Sequence, residues 1–142
     1  MRIIFLALWA LLLFSCKNKE LQTTSNSDPS GFEAFYKKFH EDTTYQKAHI
    51  QFPLQGIPSF ADSASLVSRD FFWEKDLWMY HKKIDLDSSG YERIIKTLGT
   101  NIVSEALVNR TQKVTMERRF AKLGEEWYLI YYAGLNGYVE EN

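Results

Sequence analysis

The stretch QKVTMERRFAKLGEEWYLIYY, residues 112–132, decides the fold. Its first part, residues 112–120, alternates apolar and polar side chains, as a half-buried strand does. Its last part, residues 127–132, is a run of aromatic and aliphatic side chains typical of a second strand. Between them Gly124 supplies the positive φ that a tight turn needs. The stretch therefore predicts an antiparallel hairpin.

One face of this hairpin is apolar except at Arg118, and the other is mixed. If residues 123–124 form the loop, the register predicts three facing pairs: Phe120 with Trp127, Met116 with Tyr131, and Glu117 with Ile130. On the mixed face, Glu117 and Arg119 are expected to be a solvated ion pair.

Four aromatic residues upstream recur at helical spacing, and they are Phe32, Phe35, Tyr36 and Phe39. This stripe predicts an amphipathic helix with Asp28 or Ser30 as its cap, and its aromatics are expected to be core. Residues 43–54 predict a strand ended by Pro53.

Residues 88–98 predict a second helix, capped by Asp87 or Ser88 and stopped by Gly99. Residues 68–83 fit either a short helix leading into a strand or an irregular segment. Together the elements indicate an α+β fold with helices on one side of an antiparallel sheet.

The amino terminus carries a secretion signal. Arg2 precedes an unbroken apolar run, residues 3–14, which has the length of a signal-peptide core and is too short to span a bilayer. The sequence LFSC, residues 13–16, resembles a bacterial lipobox, although Phe14 replaces the usual small residue. The resemblance implies that Cys16 is lipidated and becomes the mature amino terminus.

Residues 17–30 are polar and read as a tether. The predicted organisation is a signal peptide (1–15), a lipidated cysteine with its tether (16–30) and one α+β domain (31–142). Lys17 rather than aspartate follows the cysteine, which in many bacteria with two membranes favours the outer membrane. We therefore expect a lipid-anchored protein of the bacterial cell envelope whose membrane partner is held through the lipid.

Composition excludes several classes of function. The chain has 17 Lys and Arg against 18 Asp and Glu, so it lacks the basic excess of a nucleic-acid-binding protein. Its single cysteine excludes an internal disulfide and a cysteine-rich metal site. The sequence contains neither a glycine-rich phosphate loop nor a Gly-x-Ser-x-Gly elbow, and we expect no cofactor and no metal.

The catalytic candidates are few. The only histidines are His40, His49 and His81, and none lies at ligand spacing from another. His81 with Asp85 or Asp87 would make a general acid–base pair. The simpler interpretation, an ordinary polar turn at residues 85–90, is preferred.

The chain is rich in aromatics, at 15%. Indoles and phenols can line a pocket for a small apolar or sugar-like ligand. The candidate ligand-binding residues are Trp73, Trp78, Tyr80, Trp127 and Tyr131. The competing and preferred interpretation is plain core packing, since a small domain without disulfides needs bulky residues to hold together.

Several pieces of the sequence resemble one uncharacterised lipoprotein family. They are FEAFYKKFHEDTTYQKAHIQFPL at 32–54, the stretch around Trp78, YERIIK at 91–96 and MERRFAKLGEEWYLI at 116–130. The family is known mainly from Bacteroidota as domain of unknown function 4348. The resemblance implies a cone-shaped fold similar to the nuclear transport factor 2-like group, in which a curved sheet wraps against helices and can leave a cavity. It carries over no catalytic residues.

Three functions follow as hypotheses. The first is a non-catalytic, membrane-tethered domain that binds a small ligand or an envelope protein. The second is a small hydrolase or isomerase that uses His81 with Asp85 or Asp87. The third is a structural subunit that contacts another envelope protein through the mixed face of the hairpin.

Overall fold

The structure is a computed structural model that describes residues 28–29, 31–68 and 70–138. The predicted signal peptide, Cys16, most of the tether and the candidate cap Ser30 lie outside the described residues. None of the helices in the described ranges is long and apolar enough to cross a membrane.

Short helices and a large sheet make up the described chain. The helices are α1 (Phe32–Glu41), α2 (Thr43–Ala48), α3 (Ser63–Ser68) and α4 (Leu86–Ser89), with a 3₁₀ turn at Lys75–Leu77. The strands are β1 (Leu54–Ile57), β2 (Phe71–Trp73), β3 (Glu92–Leu98), β4 (Ile102–Asn109), β5 (Val114–Leu123) and β6 (Glu126–Gly137).

The six strands form one open sheet in the order β2-β1-β6-β5-β4-β3. Only β1 and β6 are parallel; the other neighbours run antiparallel. The sheet curves against the helices, so the predicted α+β architecture is confirmed. Strands β2 and β3 are the two edges.

Helix α1 covers the concave face of the sheet, as its aromatic stripe predicts. Phe120 on β5 lies under the helix, with ring centroids 5.3 Å from Phe32 and 5.7 Å from Phe39. All three side chains are buried. At the start of the helix the carboxylate of Asp28 accepts a hydrogen bond from the backbone N–H of Glu33. The stripe is core, and it fixes the helix over the middle of the sheet.

The predicted hairpin is present, but its predicted register is wrong. The turn is at Gly124 and Glu125, so Phe120 pairs with Leu129 and Glu117 with Ala133. A register shift lies between Arg119, which pairs with Tyr131, and Phe120. Ile130 is the extra residue there, and such a bulge changes which side chains of β6 face inward. Trp127 and Leu129 are buried before it, and Tyr132 is buried after it.

Residues 88–98, predicted as a helix, form strand β3 instead. The helix signals are satisfied earlier: Asp85 caps the four-residue α4, and Gly90, at φ 70°, ends it. Residues 92–98 then pair with β4 along their whole length. Sheet pairing outweighs a local preference that the sequence pattern alone displays.

Residues 43–54 are predicted as a strand, but their first half, Thr43–Ala48, forms helix α2. Asp42 caps this helix, and its carboxylate accepts a hydrogen bond from the backbone N–H of Tyr45. His49, expected on the strand, follows the helix as its C-cap. After the helix, Ile50 makes an isolated parallel bridge with Leu129 on β6, and β1 begins only at Leu54.

Candidate functional site

A row of polar side chains crosses the middle of the concave face. Glu105 on β4 pairs in register with Arg118 on β5, and Arg118 pairs with Tyr132 on β6. Residues paired in this way on neighbouring strands share one face of the sheet. All three side chains are buried, and α1 lies across them with Tyr36 and His40.

Arg118 is the centre of this network and is 1% exposed. Its Nε donates to Glu105 Oε2 at 2.7 Å, its Nη1 to His40 Nε2 at 2.7 Å and its Nη2 to the Tyr36 hydroxyl at 3.2 Å. Each guanidinium nitrogen therefore has a partner supplied by the chain itself, which is what a buried cation requires.

Glu105 is fully buried, and both its oxygens are also used. Oε1 accepts from the Tyr36 hydroxyl at 2.6 Å and from Arg93 Nε at 2.7 Å. The guanidinium of Arg93 lies 4.0 Å from the centre of the Tyr36 ring and reaches outward to Glu33 at 3.5 Å. Positive and negative side chains thus alternate from the interior to the surface, and their charges balance. The series is Arg118, Glu105, Arg93 and Glu33.

The tautomer of His40 follows from its partners. Its Nδ1 lies 2.8 Å from the carbonyl oxygen of Tyr36, which can only accept, so Nδ1 carries the proton. Nε2 is then the unprotonated nitrogen that accepts from Arg118. Burial and the adjacent Arg118 lower the pKa of His40 to about 4. The imidazole is therefore neutral at physiological pH.

The two acidic members respond to burial in different ways. Burial raises the pKa of the Tyr36 hydroxyl far above its usual value, so Tyr36 stays a neutral donor. Burial also favours the neutral form of Glu105, but Arg118 and the hydrogen bonds from Tyr36 and Arg93 outweigh it and lower its pKa. Glu105 is thus the anion that holds Arg118 and Arg93 in place.

His81 lies at one side of this network. Its ring centroid is 4.4 Å from that of Trp78 and 4.6 Å from that of Tyr132. Its Nδ1 is buried and makes no hydrogen bond. Burial, followed by the charge of Arg118, lowers the pKa of His81 to about 3. A base this weak takes up a proton poorly near neutral pH.

Gln46 holds the segment of His81 against α2. Its amide nitrogen donates to the carbonyl oxygens of Phe39 and His81, and its amide oxygen accepts from Trp78 Nε1 and from the backbone N–H of His81. Because this buried side chain uses all four hydrogen bonds available to it, it fixes the position of residues 78–81.

Among the described residues, no hydrogen bond joins Asp85 or Asp87 to His81. Asp85 is exposed, and its carboxylate accepts from the Ser88 hydroxyl at 2.6 Å and from the Asp87 N–H at 3.2 Å. Asp87 is exposed on α4. These contacts belong to the cap of the short helix α4. Residues 85–90 were expected to be a polar turn before a helix, and they form α4 and lead into strand β3 instead.

The five candidate ligand-binding aromatics do not form one cluster. Trp73 and Trp78 pack against each other and against Tyr132, and their indole nitrogens donate to the Tyr132 carbonyl and to Gln46. The Tyr80 hydroxyl donates to the carbonyl oxygen of His40. Their polar atoms thus bind the chain itself, and these three side chains brace the interior.

The other two candidates lie elsewhere. Trp127 is buried near the hairpin turn, 5.1 Å from the Phe32 ring. Tyr131 lies under the guanidinium of Arg119, 4.4 Å away. Arg119 and Glu117 form the expected solvated pair at 2.7 Å. The bulge in β6 explains the separation, because it turns Tyr131 away from the face that carries Trp127 and Tyr132.

Sequence reasoning missed the polar network, although one signal for it was present. Arg118 interrupts the apolar face of β5, and a charge on that face requires a buried partner. Its partners lie 13 residues away at Glu105 and 78 residues away at His40. Only the fold brings them together.

The outer surface carries a shallow cleft of about 460 Å³, lined by Thr43, Thr44, Lys47, Ala48 and Lys75. Among residues 28–29, 31–68 and 70–138, no group of three or more His, Cys, Asp and Glu is placed to hold a metal.

Comparison with known proteins identifies the fold. An NTF2-like protein from Bacteroides fragilis matches over 83% of this chain, with a TM-score of 0.54 and 16% identity. This chain spans half the length of that protein. A protein of unknown function from the DUF3225 family of Pectobacterium atrosepticum matches 76% of this chain and 89% of its own length, at 14% identity and a TM-score of 0.35.

No protein-family model matches the chain, and no curated protein matches it. The fold is nuclear transport factor 2-like, with an open curved sheet whose concave face is covered by helix α1 and crossed by the network of Glu105, Arg118, Tyr36 and His40.

Proposed function

We propose that this protein is a lipid-anchored component of the bacterial cell envelope whose domain is a non-catalytic module that binds a ligand or an envelope protein. The supporting observation is the closed network on the concave face. Arg118 and Glu105 have all their polar atoms engaged by the chain, and the adjacent His40 is neutral. Such a centre holds the fold together, and the guanidinium of Arg118 and the carboxylate of Glu105 have no polar atom left over for a substrate.

The lipid anchor rests on the sequence LFSC at residues 13–16. An acylated Cys16 would hold the domain at a membrane, since each buried methylene contributes about 0.8 kcal/mol. Membership of the lipoprotein family known as domain of unknown function 4348 is part of this proposal and not support for it, since no protein-family model matches the chain. Lys17 supports the outer membrane as the location.

The hydrolase or isomerase alternative has weaker support. It would need His81 to act as a base, and burial lowers the pKa of His81 to about 3. It would also need Asp85 or Asp87 beside the ring, whereas Asp85 accepts hydrogen bonds within the cap of α4.

Mass spectrometry of the chain, expressed in a diderm bacterium and extracted from its membranes, tests the anchor. The proposal predicts a chain that begins at Cys16 and carries acyl groups. Ser15→Ala keeps a small residue before the cysteine and should be processed in the same way, whereas Cys16→Ala should carry no lipid. A wild-type chain with an unmodified Cys16 thiol would contradict the proposal.

Tryptophan fluorescence and thermal unfolding test the binding role. A ligand that binds the folded state raises the melting temperature in proportion to RT ln(1 + [L]/Kd). A compound that raises it and is turned over into product would overturn the non-catalytic assignment. His81→Gln should leave unchanged any stabilisation that a bound compound produces.

A further inference from the structure

The two edges of the sheet differ in length and regularity. Strand β2 has three residues, whereas β3 (Glu92–Leu98) has seven and pairs with β4 at every one of them without a register shift. Five of the seven residues of β3 are exposed, and among the described residues β3 pairs with no strand except β4. The outer side of such a strand presents a row of unpaired backbone N–H and C=O groups, which is a template for another strand.

Most of the devices that protect sheet edges are missing from β3. The strand contains no proline, and its pairing with β4 contains no bulge. Arg93 is already paired with Glu105 and Glu33. The charges left to decide which strand fits beside β3 are therefore those of Glu92 and Lys96.

The side chains of β3 divide between the two faces of the sheet. Ile95 pairs in register with Glu105, so residues 93, 95 and 97 lie on the concave face. Residues 92, 94, 96 and 98 therefore lie on the convex face. Glu92 and Lys96 share this face, with Ile94 midway between them.

This spacing makes β3 complementary to itself. Two copies of the strand that continue the sheet with their concave faces on the same side pair antiparallel about a twofold axis through one residue. With the axis at Ile94, Glu92 of each copy lies directly opposite Lys96 of the other. Moving the axis to Arg93 or Ile95 removes both of these opposite-charge pairs, so the charges select one register.

Both charges are accessible for such a contact. Glu92 pairs with Arg110 at 3.0 Å, and both of these side chains are more than half exposed, which is the weak kind of ion pair. Among the described residues, Lys96 makes no ion pair. A lysine on an edge opposes an ordinary neighbouring strand. A strand that places a carboxylate opposite this lysine is favoured over the others.

We propose that two copies of this protein associate through β3, paired antiparallel about a twofold axis at Ile94. The two sheets then form one continuous sheet, with Glu92 of each copy opposite Lys96 of the other and the two Ile94 side chains in contact on the convex face.

The position of the amino terminus is compatible with this pairing on a membrane. Glu33, in the first turn of α1, lies 3.5 Å from Arg93 on the concave face. A twofold axis perpendicular to the sheet keeps both concave faces on one side, so both chains begin on that side. Two copies anchored in one membrane can then pair, at a high local concentration that suits a small interface. This consequence rests on the proposed anchor, whereas the pairing itself does not.

Cysteine crosslinking of the full chain, in membranes of a diderm bacterium that expresses it, tests the register. Ile94→Cys places two thiols at the axis, where opposed Cα atoms are about 4.5–5.5 Å apart. Leu98→Cys is the matched control on the same strand and face, because eight residue positions, about 26 Å, separate its two copies in the proposed pair. The thiol-specific crosslinker is shorter than this distance. The wild-type chain, whose only cysteine is Cys16, gives the background and reports separately whether that thiol is free.

We expect several times more crosslinked dimer from Ile94→Cys than from Leu98→Cys. Random collisions predict the opposite order, because Leu98 is 63% exposed and Ile94 is only partly exposed. Equal crosslinking at the two positions, or none at either, would overturn the proposal. Either result would leave the other strand of a different protein, or collision alone, as the explanation of contacts at this edge.

An exchange of charges tests the same pairing without cysteines. Glu92→Lys and Lys96→Glu each place like charges opposite each other twice, and each should lower the capture of one tagged copy by another about fivefold. When the two variants are expressed together, opposite charges face each other at both contacts, and capture should return to the wild-type level. Lys82→Glu, an exposed position outside β3, should change nothing.

The mixture of variants separates the proposal from a folding defect, because a misfolded chain is not restored by another. If the mixed variants associate no better than each variant alone, Glu92 does not lie opposite Lys96 and the proposed pairing is wrong.

Discussion

The concave face of the sheet and the segments on either side of strand β2 differ in what their side chains contact. On the concave face, each polar atom of the buried Arg118 and Glu105 side chains has a hydrogen-bond partner within the chain. Before and after β2 in the sequence, apolar side chains such as Val67 and Met79 remain in solvent. A polar interior that satisfies itself serves stability, and an apolar surface left uncovered is available for contact. The proposed binding therefore has more support on the outer surface than inside the network of Glu105 and Arg118.

Glu105→Gln should have the largest effect, because it leaves Arg118 buried without its counter-ion. Removing one partner of a buried pair costs about 3–5 kcal/mol of unfolding free energy. Urea denaturation measures this. Glu117→Gln is the matched control, since Glu117 pairs with Arg119 at the same 2.7 Å but at the surface, and it should cost less than about 1 kcal/mol. Equal losses would show that the interior network is no more important than a surface pair.

Gly56→Ala should cause the second largest loss of unfolding free energy, because its methyl group would push β1 away from β6 and from Trp73 on β2. A Cβ at Gly56 would overlap the carbonyl oxygen of Tyr132 and lie 2.7 Å from Trp73 Nε1. Separating these strands should cost about 2–3 kcal/mol and shift the tryptophan emission. Gly137→Ala, whose Cβ would have its nearest neighbour at 3.9 Å, should be close to neutral. A stable Gly56→Ala protein would mean that Trp73 does not lie against β6.

The interior should also make stability depend on pH, in a direction that follows from the lowered pKa values. His40 and His81 have folded-state pKa values of about 4 and 3, below the ordinary value of 6.5. The unfolded chain therefore binds protons first, and stability is fully present above pH 6.5 and lost as the pH falls toward 4. Each histidine contributes a slope of up to about 1.4 kcal/mol per pH unit.

His40→Gln should make this slope shallower, because an amide side chain does not titrate. Urea titrations at pH 7, 6, 5 and 4 measure it for both proteins. If wild type and variant have the same slope, His40 is not the buried neutral group described above.

Phe60→Asn should have the smallest effect on the unfolding free energy. Asparagine tolerates the left-handed backbone of Phe60, at φ 54°, better than phenylalanine, and the Phe60 ring is 79% exposed. The unfolding free energy should change by less than about 0.5 kcal/mol. A loss above about 1.5 kcal/mol would show that the ring packs against the fold and is not exposed to solvent.

The sequence predicts the parts of the fold whose signals are local. The stripe from Phe32 to Phe39 gives the helix, and residues 112–132 give the hairpin. The predicted pairing of β5 with β6 is wrong because the turn lies one residue later than expected and Ile130 forms a bulge. Alternation of apolar and polar residues does not reveal either feature. Residues 92–98 failed as a helix because pairing with a distant strand decides their state.

The candidate site was harder to predict for the same physical reason. Arg118 stands out on an apolar face, yet its partners His40 and Tyr36 come from a helix some 80 residues earlier. The aromatic candidates were chosen by residue type, and a bulge separates Tyr131 from the others. The sequence does not predict that Phe60 is exposed, because its exposure depends on a loop that is fixed by hydrogen bonds from the distant Asn136.

The most direct test of the account is the protonation state of His40, read from the ring nitrogens by ¹⁵N nuclear magnetic resonance between pH 8 and pH 5. A closed interior predicts a neutral ring throughout, with the proton on Nδ1 and Nε2 accepting from Arg118. A ring that titrates near pH 6.5 would show that the concave face is open to solvent, and a proton on Nε2 would show that Arg118 does not donate to it. Binding inside the cone would then replace binding at its surface.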